Sequence, residues 1–173
     1  RIASANSSLY LEEAAADAFG SHLVFRKTRN TTVGSHTVVQ DGDTLGTIVF
    51  QGSDGSGMEN AASIVAEVDG TPFSSSDSSD MPGRLIFKTT PDGSATPSEA
   101  MRIDNLQNIG LGSTPKTLRS DQTGLQLGGN FSIMAESSTS ADNSFNLSQN
   151  AYFDGSWKYI STDEASNYFQ SAG

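Results

Sequence analysis

Ile64-Val65-Ala66-Glu67-Val68-Asp69-Gly70 is the stretch that decides the fold. Ile64, Ala66 and Val68 alternate with Val65, Glu67 and Asp69. A period of two puts the first three on one face and the carboxylates on the other, which is the pattern of a strand with one buried face. Asp69-Gly70 then supplies the positive φ of a tight turn. Outward from this stretch the pattern repeats. Leu23/Phe25, Leu85/Phe87, Met101/Ile103, Leu125/Leu127, Phe131/Ile133, Phe145/Leu147 and Trp157/Tyr159 are spaced as inward pairs. Asp41-Gly42, Asp54-Gly55, Asp92-Gly93 and Asp154-Gly155 fall between the runs. The expected class is all-β, built from antiparallel meanders.

Leu9 to Phe19 is the clearest helix candidate in the chain, but the non-helical reading is preferred there. Leu9 and Leu11 alternate, and Asp17 with Gly20 suits a loop. Ser74 to Asp80 reads as a low-complexity loop, and Ala135 to Ser144 reads similarly. A soft boundary falls at Gly110 to Thr117. Beyond it the strands are expected to be sparser and the chain is richer in Asn and Ser.

The 173 residues carry a net charge of −10 and no cysteine. Only 35% of residues are hydrophobic, against about 45–50% for an ordinary globular domain. Such a thin core is expected to find its missing burial against a partner. A sheet with one apolar face must cover it, and open sheet edges must be paired. Closed cyclic symmetry among identical chains does both. The acidity argues against nucleic-acid binding and against docking on anionic membranes. No apolar run reaches the length of a membrane span. A disulfide scaffold, a thiolate metal site and a cysteine nucleophile are all excluded. The sequence starts at Arg1 rather than Met, as a fragment or processed product would.

From Asp41 to Gly112 the sequence resembles a recurring region of phage tail fibre proteins. The matching stretches run from Gly42-Asp43-Thr44-Leu45-Gly46-Thr47-Ile48-Val49-Phe50 through Ala61-Ala62-Ser63-Ile64-Val65-Ala66-Glu67-Val68-Asp69-Gly70. They continue with Met81-Pro82-Gly83-Arg84-Leu85-Ile86-Phe87-Lys88 and Glu99-Ala100-Met101-Arg102-Ile103-Asp104, and end at Asn108-Ile109-Gly110-Leu111-Gly112. Asn150 to Tyr168 looks like the more distal part of such fibres. The resemblance implies an elongated, intertwined homotrimeric β-structure, β-prism or β-helix-like, located on a virion. Its implied partners are further copies of itself, other tail proteins and host surface glycan. No cleavable chaperone domain of the kind such fibres often carry is recognisable. The implied organisation is an N-terminal β segment over 1–40, a tail-fibre-like β domain over 41–112 and a C-terminal β segment over 113–173. Where the family has Asp-Gly before its Asn-Ile-Gly ending, this sequence has Leu106-Gln107, so another residue, such as Asn108, is expected to take the positive φ.

No constellation points to catalysis. His22 and His36 read as solvated, with no Gly-x-Ser-x-Gly elbow in the chain. Asp41/Asp43, Glu67/Asp69 and Asp163/Glu164 are the nearest carboxylate pairs for glycoside hydrolysis; adjacent carboxylates are ordinary on an acidic chain. Asp41 to Gly46 partly echoes a calcium loop but has no bidentate Glu at its twelfth position. It reads as a turn. Gly52 to Gly57 lacks the Lys-Ser/Thr of a phosphate cradle and reads as a loop. No cofactor or metal is expected. Arg84 is expected to pair across strands with a charged residue of the Arg102/Asp104 strand. Tyr152, Trp157 and Tyr159 are the candidate aromatics, for core or interface packing first and for a glycan-contacting surface second. The functional reading is a structural fibre segment that spaces or presents a host-attachment region. The alternative is a tip module that binds or degrades surface polysaccharide.

Overall fold

The computed structural model describes residues 7–73, 79–136 and 144–170. Among these the chain is all-β. Eleven strands form a nine-stranded sheet in the order β1-β2-β3-β4-β5-β6-β7-β8-β11 and a separate hairpin of β9 and β10. The strands are β1 Thr44–Ser53, β2 Met58–Val68, β3 Gly83–Thr89, β4 Ser98–Ile103, β5 Ile109–Leu111, β6 Gln122–Leu127, β7 Phe131–Glu136, β8 Phe145–Gln149, β9 Ala151–Phe153, β10 Trp157–Tyr159 and β11 Ser166–Gln170. Every neighbouring pair is antiparallel except β5 and β6, which run parallel. The expected meander therefore holds up to the soft boundary, where it breaks and resumes. Beyond that point the strands are shorter rather than sparser.

All five Asp-Gly glycines have positive φ: Gly42 at 80°, Gly55 at 96°, Gly70 at 133°, Gly93 at 80° and Gly155 at 115°. The turn before β5 departs from expectation. Gln107, not Asn108, takes the left-handed conformation, at φ 66°. Asp104 holds this turn: its Oδ1 accepts from the Leu106 and Asn108 N–H groups, at 3.0 and 2.8 Å. Asn108 is left at 1% exposure, with its Oδ1 accepting from Gly124 N–H on β6. Its amide ties the segment entering β5 to the parallel strand β6.

The segment before β1 carries neither helix nor strand among its described residues. Neither the helix candidate at Leu9–Phe19 nor a strand at His22–Arg26 forms, which corrects the reading of 1–40 as a β segment. Arg29 N–H donates to the Thr37 carbonyl and Ser35 N–H to that of Thr32, giving a local loop instead. Leu23, Val24 and Phe25 stay half-exposed over Ile64, Ala66 and Leu85 of the sheet. The two low-complexity loops fall largely at 74–78 and 137–143, outside the described residues.

Register reveals how the faces are used. One row of directly opposed residues runs Gly46, Ala66, Leu85, Ile103, Ile109, Leu125, Ile133, Leu147, Tyr168 across all nine strands. The next row on the same face runs Ile48, Ile64, Phe87, Met101, Leu111, Leu127, Phe131. Eight spacings of about 4.8 Å make this apolar stripe roughly 38 Å wide. The longer row has one gap, at Gly46, and Phe25 fills it; the shorter row ends at Phe131, beyond which stand Gln149 and Ser166. A Cβ at Gly46 would lie 2.7 Å from both Phe25 Cβ and Cγ.

The stripe contains the pairs Leu85/Phe87, Met101/Ile103, Leu125/Leu127 and Phe131/Ile133 together with Leu147, yet none of these is fully buried within the chain. The buried residues lie on the opposite face. In β1–β4 they are Ser63, Val65 and Ile86; in β6–β8 they are Gln122, Gln126, Ser132, Met134, Asn146 and Ser148, while Val68 at the end of β2 is the exception, buried on the stripe's own face. An apolar face left open while serines and asparagines are buried is the reverse of ordinary globular partition.

Candidate functional site

The polar face of β6–β8 is roofed by two parts of the chain. The first is the crossover over 112–121. It lies so close to the sheet that only glycine fits beneath it. A Cβ at Gly110 would collide with the Ser113 carbonyl and lie 2.8 Å from Pro115 Cδ; at Gly124 it would lie 2.7 Å from Leu118 Cδ1. Lys116 N–H donates to Gln126 Oε1 at 2.8 Å, anchoring the crossover. The second part is the β9–β10 hairpin, whose Ala151 carbonyl accepts from Ser132 Oγ at 2.9 Å.

Asn150 directs the hairpin over the face. It is 3% exposed and takes φ 55° between β8 and β9. Its Nδ2 donates to the carbonyls of Ser161, Asp163 and Glu164, and its Oδ1 accepts from Ser161 N–H and Oγ. One buried amide thus fixes both ends of the hairpin excursion. Local sequence carries no signal for this beyond an Asn at a left-handed position.

Between hairpin and sheet lies an open cleft of about 600 Å³. Phe153 and Trp157 form one wall, with ring centroids 5.4 Å apart and planes at 59°. Phe169 of β11, half-exposed, lies on the other side. The Arg119 guanidinium sits 5.3 Å from the Phe153 ring centroid and pairs with both Asp121 and Glu136. Hydrogen bonding to Arg119 holds the Asp121 carboxyl below its ordinary range. Glu136, with its side chain 3% exposed, is held down by the Ser144 hydroxyl and N–H and then by Arg119. Gln122 stands beside Glu136 in the β6–β7 ladder. It is 6% exposed, and its Oε1 meets no donor among the described residues. Burying such an acceptor unpaired costs about 1–3 kcal/mol.

The three candidate aromatics do not converge. Trp157 lines the cleft and is 47% exposed. Tyr159, at 67%, lies in a shallower adjoining depression with Trp157, Ala165 and Ser166. Tyr152 lines a small cavity with Leu118 and Met134, beneath the crossover. Phe153, Phe169, Gln122 and Arg119 join Trp157 in the cleft without having been singled out by sequence.

The remaining charged candidates serve as structural ties. Arg84 pairs with Glu67 and Asp69, at 2.8 and 2.7 Å, rather than with Asp104. The ladder places Glu67 directly opposite it, while Asp104 is engaged in its own turn. Arg102 pairs with Glu99 at 2.6 Å. Asp43 binds Arg29 through two bonds of 2.6 Å, which hold its carboxyl well below the usual range. Asp41 Oδ1 accepts from Gly70 N–H at 3.0 Å. Asp54 closes the Gly52–Gly57 loop by accepting from Ser56 and Gly57 N–H groups. His22 and His36 are exposed.

No protein-family model matches the chain, and no curated protein sequence does. Among solved structures it is similar to the carboxy-terminal domain of the bacteriophage T5 L-shaped tail fibre. The identity is 10% and the TM-score 0.45, over 88% of this chain and 86% of that one.

Proposed function

We propose that the chain is a structural segment of a phage tail fibre, assembled as a homotrimer, that spaces or presents the region of the virion that attaches to the host. The apolar stripe carries this reading. Two in-register rows of Ile, Leu, Phe and Met lie open across the sheet, and apolar surface of that extent is ordinarily covered. Three copies related by a closed axis turn their stripes inward and leave none over. The other neighbours of such a segment are tail proteins at its two ends. A non-catalytic role fits the charged groups, since Asp43, Glu67, Asp69, Asp121 and Glu136 are each tied to an arginine. The depressed carboxyls of Asp121 and Glu136 suit neither as a general acid. Antibodies raised against the chain test the placement by electron microscopy of the virion that encodes it. Labelling of the tail appendages is expected; labelling of the capsid, or of no virion component, would overturn the reading.

A further inference from the structure

We infer that Asp92-Gly93, in the turn between β3 and β4, is the site at which this chain converts its own backbone from an aspartyl to an isoaspartyl linkage. The reaction is an attack by a main-chain amide nitrogen on the side-chain carboxyl before it. Glycine is the most reactive following residue, because it has no Cβ to hinder the approach. Asp-Gly pairs start at Asp41, Asp54, Asp69, Asp92 and Asp154. Their local chemistry is the same, so the folded structure decides which of them reacts.

Two groups must be free, the carboxyl and the glycine N–H. Asp41 Oδ1 accepts from Gly70 N–H at 3.0 Å, a single bond that occupies the carboxyl of one pair and the amide of another. Gly42 N–H donates to the Val68 carbonyl. Asp54 Oδ1 accepts from the Ser56 and Gly57 N–H groups, and Gly55 N–H donates to Ser53 Oγ. Asp69 is held by Arg84 and by Asn105 N–H. Asp154 pairs with Lys158. At Asp92-Gly93 neither the carboxyl nor the glycine N–H has a partner among the described residues. The bond that closes this turn runs from Ser94 N–H to the Pro91 carbonyl at 3.1 Å and leaves both reacting groups out. Residues 91–96 are all exposed, as is usual where backbone chemistry and nicking concentrate. The turn lies past Thr89 and Ser98, the last pair of the β3–β4 ladder, and holds no residue of either apolar row. Covering the stripe therefore does not use it.

The step balances with water alone. A bond forms between Gly93 N and Asp92 Cγ, and the side-chain hydroxyl leaves with the amide proton as water, closing a cyclic imide. Water then adds to the imide carbonyl that was the Asp92 main-chain carbon, and the bond from that carbon to Gly93 N breaks. Gly93 stays joined through Cγ, the former main-chain carbonyl becomes the free carboxylate, and the backbone is one methylene longer. Nothing is oxidised or reduced, and the net charge is unchanged.

Peptide mapping by liquid chromatography and mass spectrometry, after the intact protein has stood for weeks at neutral pH and body temperature, tests the inference. The Asp92 peptide is expected to split into two peaks of equal mass, the new one resistant to a protease that cuts before aspartate. It should form at least tenfold faster than the corresponding product of any other Asp-Gly pair. In denaturant that contrast should vanish and all the pairs should react at comparable rates. Lys158→Met frees the Asp154 carboxyl and should raise isomerisation there at least threefold, with Asp92 unaffected. A native protein that forms no isoaspartate at Asp92 while the denatured chain does would overturn the inference, as would a faster site elsewhere. So would a contrast that survives denaturation, or an unchanged rate at Asp154 in the Lys158→Met protein.

Discussion

The sheet's first five strands and its last four bury opposite chemistries on the same face. In β1–β5 the buried side chains on that face are Ser63, Val65 and Ile86, flanked by the Arg84–Glu67–Asp69 and Arg102–Glu99 pairs. In β6–β8 they are mainly Gln126, Ser132, Asn146 and Ser148, covered by a crossover and a hairpin. The opposite face changes less: its longer apolar row crosses all nine strands, and its shorter row runs from β1 to β7 before giving way to Gln149 and Ser166. On the proposed reading the apolar face is the one that other copies cover, while the other face is where the two halves of the chain differ. The second half has spent its buried positions on hydrogen bonds that hold a roof, and the cleft lies beneath that roof.

The largest predicted effect tests the apolar face. Ile133→Asp places a carboxylate within the longer row, on β7. If that row is covered by other copies, the unpaired charge costs several kcal/mol, and size-exclusion chromatography should show dissociation. An Ile133→Asp protein of unchanged size would mean the stripe faces solvent.

The next effect tests the roof. Gly110→Ala must push the crossover off the sheet, and about 2–4 kcal/mol of stability should be lost in denaturant titration. Gly129→Ala, where an added Cβ meets nothing within 4 Å, should change stability by no more than about 0.5 kcal/mol. Equal effects at the two glycines would show that the crossover does not lie as described.

A smaller effect appears with acid. Asp121 and Glu136 have carboxyls lowered in the folded chain, so their ionised forms favour folding. That contribution is complete above the ordinary carboxyl range near pH 4 and is lost as pH falls through the lower folded values. Arg119→Met removes part of the lowering, so acid unfolding followed by circular dichroism should begin at higher pH. An unchanged midpoint would mean that Arg119 does not stabilise the two carboxylates.

The smallest effect is at Trp157. It is half-exposed and touches Phe153 chiefly by ring contact, so Trp157→Ala should cost about 1 kcal/mol or less and leave oligomeric mass unchanged. Loss of assembly in that variant would return Trp157 to the interface.

Much of the sheet was legible because it rests on local alternation. The pairs Leu85/Phe87, Met101/Ile103 and Phe131/Ile133 share the stripe as their spacing required, and each Asp-Gly adopts the expected turn. What alternation cannot say is which face the chain covers by itself. That depends on where residues 112–121 and 151–159 are laid, and their placement is set by Gly110, Gly124, Asn108 and Asn150 through contacts far apart in sequence. The cleft was only part legible for the same reason. Trp157 drew notice as an aromatic, but Gln122 and Phe169 acquire meaning only once β6 and β11 stand on either side of the hairpin. The segment before β1 misled because Leu23 and Phe25 alternate like a strand, yet Phe25 serves as a plug over Gly46.

The central claim is that identical chains cover the apolar stripe, and the native mass of the unmodified protein tests it most directly. Light scattering at micromolar concentration should give three times the 18.2 kDa of the chain, unchanged on tenfold dilution. A stable 18.2 kDa monomer at that concentration would contradict the account.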